Sequence, residues 1–135
     1  MQGIAVYRRF GDEKRLYACS HPRNGDYLER EEEFEKFSVL SEVDDCDPSG
    51  FYTEETLSAL LNDLRVTILE AAKSDDVEIL EHLEEILNMC KWCMNNIDYY
   101  ALIISPYEIV SACDRSNEFN SIAEIEESTS KKDIS

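Results

Sequence analysis

The sequence predicts an α+β fold in which an antiparallel helical hairpin packs on a small, mainly antiparallel β-sheet. Two observations support this prediction. Residues 53–97 repeat apolar side chains at helical spacing, and the runs on either side of them are rich in β-branched and aromatic residues. The charged turn at residues 73–76 is short, so the second helix must fold back antiparallel to the first.

Each predicted helix carries one apolar stripe, because its apolar residues alternate in steps of four and three. The first stripe is Leu57, Leu61, Leu64, Ile68 and Ala71, and the second is Leu80, Leu83, Leu87, Cys90, Met94 and Ile97. Thr53 is predicted as the N-cap of the first helix. Asp75 and Glu78 have capping-box spacing, which predicts that the second helix begins after Asp75.

Four apolar runs outside the helices predict strands. Residues 3–10 and 16–19 are separated by a Gly/Asp turn and predict a β-hairpin. Residues 99–104 have apolar side chains on both faces, which suits a central strand covered by helices. Residues 107–113 follow a Ser-Pro turn and can return as the neighbouring strand.

Residues 26–43 are ambiguous, because their aromatic residues fit both a helical face and an alternating strand. We expect a short helix or an irregular segment over residues 29–36, followed by a strand over residues 37–43. The Pro and Gly content of residues 44–50 predicts a loop.

The chain has 135 residues, the commonest size for a single domain, and can bury a core without disulfides or metal. We expect residues 1–113 to form one globular α+β domain. Residues 114–135 are expected to form an acidic tail that is largely disordered at its end.

The chain carries 30 acidic and 13 basic residues, a formal net charge of −17. The charge is uneven, because residues 1–25 hold five basic and two acidic residues and the remainder holds 8 basic and 28 acidic ones. Such a surface repels nucleic acid and anionic lipid and attracts cationic partners. We therefore expect a basic protein partner, with neither direct nucleic-acid binding nor membrane binding. The sequence leaves the oligomeric state open.

The cysteines indicate a reducing compartment. They are odd in number, and the first residues lack the basic-then-apolar pattern of a secretory signal. The five are Cys19, Cys46, Cys90, Cys93 and Cys113. We expect free thiols and a cytoplasmic location. No apolar run approaches the roughly 18 residues needed to cross a bilayer.

Two segments suggest metal or redox chemistry and are given a structural interpretation. Cys90 and Cys93 form a CxxC pair near the C-terminal end of the second helix, where the helix dipole disfavours a thiolate. Residues 45–56 partly resemble an EF-hand loop, but Thr56 stands where a bidentate Glu would close the site. We therefore expect no metal and no cofactor.

The histidines give no catalytic pattern. Neither His21 nor His82 has a nucleophile at a spacing typical of a triad. His82 is interpreted as part of a solvated face, among glutamates that favour its charged form. No residue is assigned a catalytic role.

The acidic surface is the more informative feature. Opposite its apolar stripe, the second helix is predicted to present one line of side chains with the only Trp of the chain at its end. This line is Glu78, Glu81, Glu85, Asn88 and Trp92, and nearby acidic residues are Asp44, Asp45, Asp47, Asp75 and Asp76. A Trp beside carboxylates can anchor a basic partner. The competing interpretation is that Trp92 packs under the sheet or the N-terminal hairpin.

A small acidic chain with cysteines, whose helical hairpin leads into a strong strand over residues 53–104, resembles the immunity proteins that bacteria pair with secreted toxins. The resemblance is architectural. It implies a non-enzymatic inhibitor that binds one toxin domain, commonly a basic nuclease. A second hypothesis is a DNA mimic that inhibits a nucleic-acid-binding host or defence protein, which would need two rows of carboxylates. A third is a small enzyme with a pocket of convergent polar groups.

Overall fold

The computed structural model describes residues 3–8, 15–23, 25–43 and 49–105. Four strands form one antiparallel sheet in the order β2-β1-β4-β3: β1 is Gly3–Arg8, β2 is Arg15–Ser20, β3 is Ser49–Phe51 and β4 is Tyr100–Ser105. Two long helices, α2 (Glu54–Ala72) and α3 (Val77–Asn95), pack against each other and on this sheet. The predicted α+β fold is confirmed.

The sheet turns one apolar face toward the helices. In the pairing of β1 with β4, Ile4 lies opposite Ile104 and Val6 lies opposite Leu102, and all four side chains are buried. Phe51 of β3 pairs with Leu102 from the other side. The strand predicted over residues 99–104 is therefore central, as expected, with β1 and β3 as its neighbours.

Both long helices begin at side-chain caps. Thr53 caps α2: its hydroxyl accepts from the Thr56 N–H at 3.1 Å, and the Thr56 hydroxyl accepts from the Thr53 N–H at 3.3 Å. The N-cap of α3 is Asp76, whose carboxylate accepts from the Ile79 N–H. The prediction of Asp75 was one residue early, because Asp75 takes a left-handed conformation, φ 58°, that closes the turn between the helices.

The buried stripe of α3 differs from the predicted one. The buried residues of α3 are Ile79, Leu83, Ile86, Met89, Cys90, Trp92 and Cys93. Leu80, Leu87 and Met94 are only half-buried, at the margin of the core. The reason is that α3 packs on the sheet and on α2 at once, so the arc that it buries is not the seam between the helices alone.

Residues 25–43 form no strand, so the prediction for residues 37–43 was wrong. The segment contains a short helix α1 (Gly25–Leu28), turns over residues 31–36 and one 3₁₀ turn (Leu40–Glu42). The buried carboxylate of Asp63, on α2, accepts backbone N–H bonds from Ser38 at 3.3 Å, Val39 at 2.8 Å and Leu40 at 3.0 Å. These three donors are therefore unavailable for a strand ladder.

The remaining predictions have mixed outcomes. The N-terminal hairpin is confirmed, with Ile4 of β1 opposite Cys19 of β2. Residues 49 and 50, predicted as the end of a loop, form the edge strand β3 together with Phe51. The strand predicted over residues 107–113, the domain end at residue 113 and the acidic tail lie outside the described residues.

We predict that Asp63→Ala lowers the free energy of unfolding by about 2–4 kcal/mol, because it leaves three backbone N–H groups without their acceptor. Urea unfolding followed by circular dichroism measures the change. Asn62→Ala, at the exposed neighbouring position, is the matched control and should change stability by less than about 0.5 kcal/mol. Equal effects of the two substitutions would contradict the role given to Asp63.

Candidate functional site

The line predicted on α3 is present along its first three turns. Glu78, Glu81 and Asn88 are exposed and Glu85 is half-buried. Of these, Glu78 lies 3.9 Å from the imidazole Nε2 of His21. The start of α3 therefore presents carboxylates to solvent in a single row.

Trp92 does not belong to that surface. It is only 5% exposed, and its ring packs on Tyr100 with the centroids 4.5 Å apart. The chain turns directly after α3 and enters β4, which brings Tyr100 against the last turn of the helix. The structure thus decides between the two interpretations: Trp92 packs in the core, so it cannot serve as the exposed aromatic anchor.

The acidic residues predicted to lie near α3 have different positions. Asp76 caps the helix and forms an ion pair with Arg23, and the hydrogen bond from Arg23 lowers the pKa of its carboxyl. Asp75 is exposed in the turn. Asp44, Asp45 and Asp47 lie outside the described residues.

A second acidic surface, missed in the sequence-based assignment of the partner site, lies on residues 29–36, here called the acidic loop. Its exposed glutamates surround Phe34, which is 73% exposed and is the most exposed of the large apolar side chains described. Within the described part of the chain, no hydrogen bond or ion pair engages the carboxylates of Glu31, Glu32 or Glu35. The sequence carries a signal for this surface, because the run Glu-Glu-Glu-Phe-Glu places an aromatic residue inside a block of like charges.

The base of the acidic loop is attached to α2. The Arg30 guanidinium donates to Glu70 at 2.7 Å and to the Tyr27 carbonyl at 2.9 Å, and Lys36 also pairs with Glu70. Partial burial works to raise the pKa of Glu70, but the hydrogen bonds from Lys36 and Arg30 outweigh it, so the pKa is lowered. The Arg30 N–H closes the loop by donating to the Leu40 carbonyl at 3.3 Å.

Two open depressions flank Phe34. One, of about 430 Å³, is lined by residues from Glu29 to Glu33, and the other, of about 350 Å³, by residues from Glu32 to Lys36. Their linings are mostly carboxylates, with Arg30 in the first and Lys36 in the second. This excess of negative charge suits the cationic end of a Lys or Arg side chain better than a small apolar substrate. The acidic loop thus combines an exposed ring with sites for positive charge.

Both this loop and the first turn of α3 lie at the end of the hairpin where α2 passes into α3, since Glu70 and Asp76 flank that turn.

The CxxC cysteines are core residues. Cys90 and Cys93 are buried free thiols, and the Cys90 Sγ donates to the Leu57 carbonyl at 3.3 Å. Burial raises the pKa of Cys90 to about 12 and also raises the pKa of Cys93. A thiol in this environment is a poor nucleophile and a poor metal ligand.

The segment that resembles an EF-hand is used in other ways where the structure describes it. Gly50 lies in β3 and pairs with Ile103 of β4, and the Thr56 hydroxyl is engaged in the cap of α2. Among residues 3–8, 15–23, 25–43 and 49–105, no three His, Cys, Asp or Glu side chains are grouped so that they could hold a metal ion.

His82 is not on a solvated face, and its expected charged form is disfavoured. Burial, together with the nearby His21, lowers the pKa of His82 to about 4. Its ring lies beside that of His21, with centroids 5.5 Å apart. Glu78 and Glu81 are exposed and Glu85 is half-buried, and these glutamates do not compensate for the burial of His82.

Comparisons of the chain with protein-family models, with curated proteins and with solved structures found no match. Within the described residues, no helix combines the length and the apolar composition needed to cross a membrane.

We predict that Trp92→Ala lowers the free energy of unfolding by about 3–5 kcal/mol, because it removes a large side chain packed on Tyr100. Glu81→Ala, at an exposed position of the same helix, should change it by less than about 0.5 kcal/mol. Thermal unfolding of both variants measures the difference. A Trp92 variant as stable as the Glu81 variant would contradict the buried position.

We also predict that iodoacetamide modifies Cys90 and Cys93 very slowly in the native protein at pH 8. A thiol pKa of about 12 leaves about one thiolate in ten thousand at that pH, against about one in ten for a pKa of 9.0. Mass spectrometry of peptides after labelling with and without urea measures the rates. Equal rates in the two conditions would show that these thiols are accessible in the folded chain.

Proposed function

We propose that the protein is a non-enzymatic acidic binding protein that inhibits a basic partner, and that it acts as an immunity protein against a toxin domain, a nuclease in the simplest case. The observation that carries the proposal is the exposed Phe34 among the carboxylates of Glu31, Glu32 and Glu35, which pair with no other described residue. The architectural resemblance to immunity proteins supplies the class of partner.

The chemistry of the acidic loop favours a cationic protein surface. An exposed aromatic ring can fill an apolar pocket of a partner and contribute most of the binding energy, while surrounding carboxylates pair with Arg or Lys. The Phe34 ring has the role that the sequence analysis gave to Trp92. The row formed by Glu78 and Glu81 extends the same negative charge along α3.

The attachment of the acidic loop to α2 also supports binding. Arg30 and Lys36 pair with Glu70 at the base of the loop, and Arg30 also pairs with Glu33. Among the described residues, neither cation pairs with the other glutamates at the tip of the loop. A loop held in this way loses little conformational freedom when a partner binds, which favours affinity.

The described surface is a compact patch around one ring rather than two parallel rows of carboxylates. This geometry favours an inhibitor of a protein surface over a mimic of the DNA backbone. A nuclease that binds such a patch would have its own phosphate-binding cations occupied, which is the simplest route to inhibition.

The test is capture of the partner from a lysate of the source organism at low salt, with the wild-type chain as bait. The matched bait carries Glu31→Lys and Glu32→Lys with Phe34→Ala, and Leu69→Ala is the control because Leu69 is another exposed apolar residue, 66% exposed, on α2. We expect a basic protein to be captured by the wild-type and Leu69→Ala chains and lost with the triple variant.

Phe34→Ala alone should speed dissociation, and the Lys substitutions should slow association most at low salt.

The captured protein is then assayed as a nuclease with and without the wild-type chain. Inhibition that needs Phe34 supports the proposal. A captured host DNA-binding protein without toxin activity would favour the DNA mimic instead. Equal capture by the triple variant would overturn the assignment of the acidic loop.

A further inference from the structure

The two histidines of the chain meet where β2 ends and α3 begins. His21 follows β2 directly, and its ring lies 5.5 Å from that of His82 at an angle of 35°. Two turns further along α3, Met89 lies 3.7 Å from the thiol of Cys19, which donates to its sulfur. This side of α3 therefore packs along β2 and the residues that follow it.

His82 enters this contact with a polar atom that has no partner. Its Nε2 is buried and is the one buried side-chain nitrogen or oxygen of the described residues without a hydrogen bond. A neutral imidazole tolerates this position at the cost of one lost hydrogen bond, but a buried imidazolium without an acceptor is far more costly.

The charged groups around His82 do not offset that cost in the closed contact. His21 faces it from the chain after β2. The charges of Arg23 in the same segment and of Asp76 at the cap of α3 are paired with each other. On its own helix the acidic neighbours one turn away are Glu78 and Glu85. The carboxylate of Glu78 reaches toward His21, at 3.9 Å, and is largely exposed.

We propose that the His21–His82 contact is an acid-sensitive latch, in which protonation of His82 releases residues 21–23 from the first turns of α3. When the contact opens, the His82 ring reaches water and the carboxylates of Glu78 and Glu85. Residues 21–23 lead through α1 into the acidic loop, so opening of the latch loosens the attachment of that loop at its N-terminal side. The latch is independent of the proposed function, because it concerns the fold alone.

The direction of the pH effect follows from linkage. In the closed form burial, together with the nearby His21, lowers the pKa of His82 from 6.5 to about 4. The open form therefore binds a proton more readily, and it gains population as the pH falls below 6.5. Between pH 7.5 and pH 5.5 the open fraction should rise about tenfold, while most carboxylates stay ionised.

Amide hydrogen exchange of the wild-type chain at pH 7.5 and pH 5.5 tests the latch, with protection factors corrected for intrinsic exchange. We expect protection of the backbone amides in residues 19–23, Pro22 excepted, and in residues 77–83 to fall about tenfold, with no such fall in α2. His82→Phe should abolish the fall because it keeps an aromatic ring that cannot be protonated, and His82→Leu serves as a second variant. His21→Phe keeps the stacked ring beside His82 and should retain the fall.

An NMR titration of the His82 ring in the unmodified chain is the second measurement. A midpoint below pH 5 supports the latch. A midpoint near 6.5 in the folded chain, or an unchanged fall in protection in both His82 variants, would overturn it.

Discussion

The structure depends on one buried carboxylate. Asp63 is only 4% exposed in the middle of α2, and transfer of an ionised group from water costs several kcal/mol unless hydrogen bonds replace its hydration. Three consecutive backbone N–H groups, from Ser38 to Leu40, supply that replacement. The requirement acts in both directions, since the buried Leu40 N–H also needs an acceptor away from water. Asp63 therefore determines where residues 25–43 lie on α2.

The position of the acidic loop follows from this attachment. With Leu40 bound to Asp63 and Arg30 donating to the Leu40 carbonyl, the two ends of the loop are held together, and Glu70 binds the cations on either side. Phe37 is buried beneath the Arg30 guanidinium, which lies 4.8 Å from its ring. Phe34, three residues earlier, is left on the outside. The loop closes between Phe34 and Phe37, so one phenylalanine packs in the core and the other lies on the surface.

The sequence predicted those features that depend on neighbouring residues. The cap at Thr53, the helical hairpin and the central strand have local signals in spacing and composition, and all three are present. The strand predicted over residues 37–43 failed because its backbone donors bind a carboxylate more than 20 residues away in the chain. Trp92 was placed ambiguously for a related reason. Helical spacing identifies which side of an isolated helix lies opposite its apolar stripe. It cannot show that the chain returns through β4 and that Tyr100 covers this side of α3 at Trp92.

The distribution of ion pairs explains why the acidic excess points outward. Among the described residues, the ion pairs Arg23–Asp76, Arg30–Glu70 and Lys36–Glu70 each join two segments of the chain. Arg30 also pairs with Glu33 inside the acidic loop, and His21 lies 3.9 Å from Glu78. Those pairs serve the fold. The glutamates at the tip of the acidic loop have no such role, and a net charge of −17 opposes compaction through self-repulsion. Folding alone would be easier without them. A cationic partner would remove this repulsion on binding, so the same charges that weaken the isolated fold would strengthen the complex.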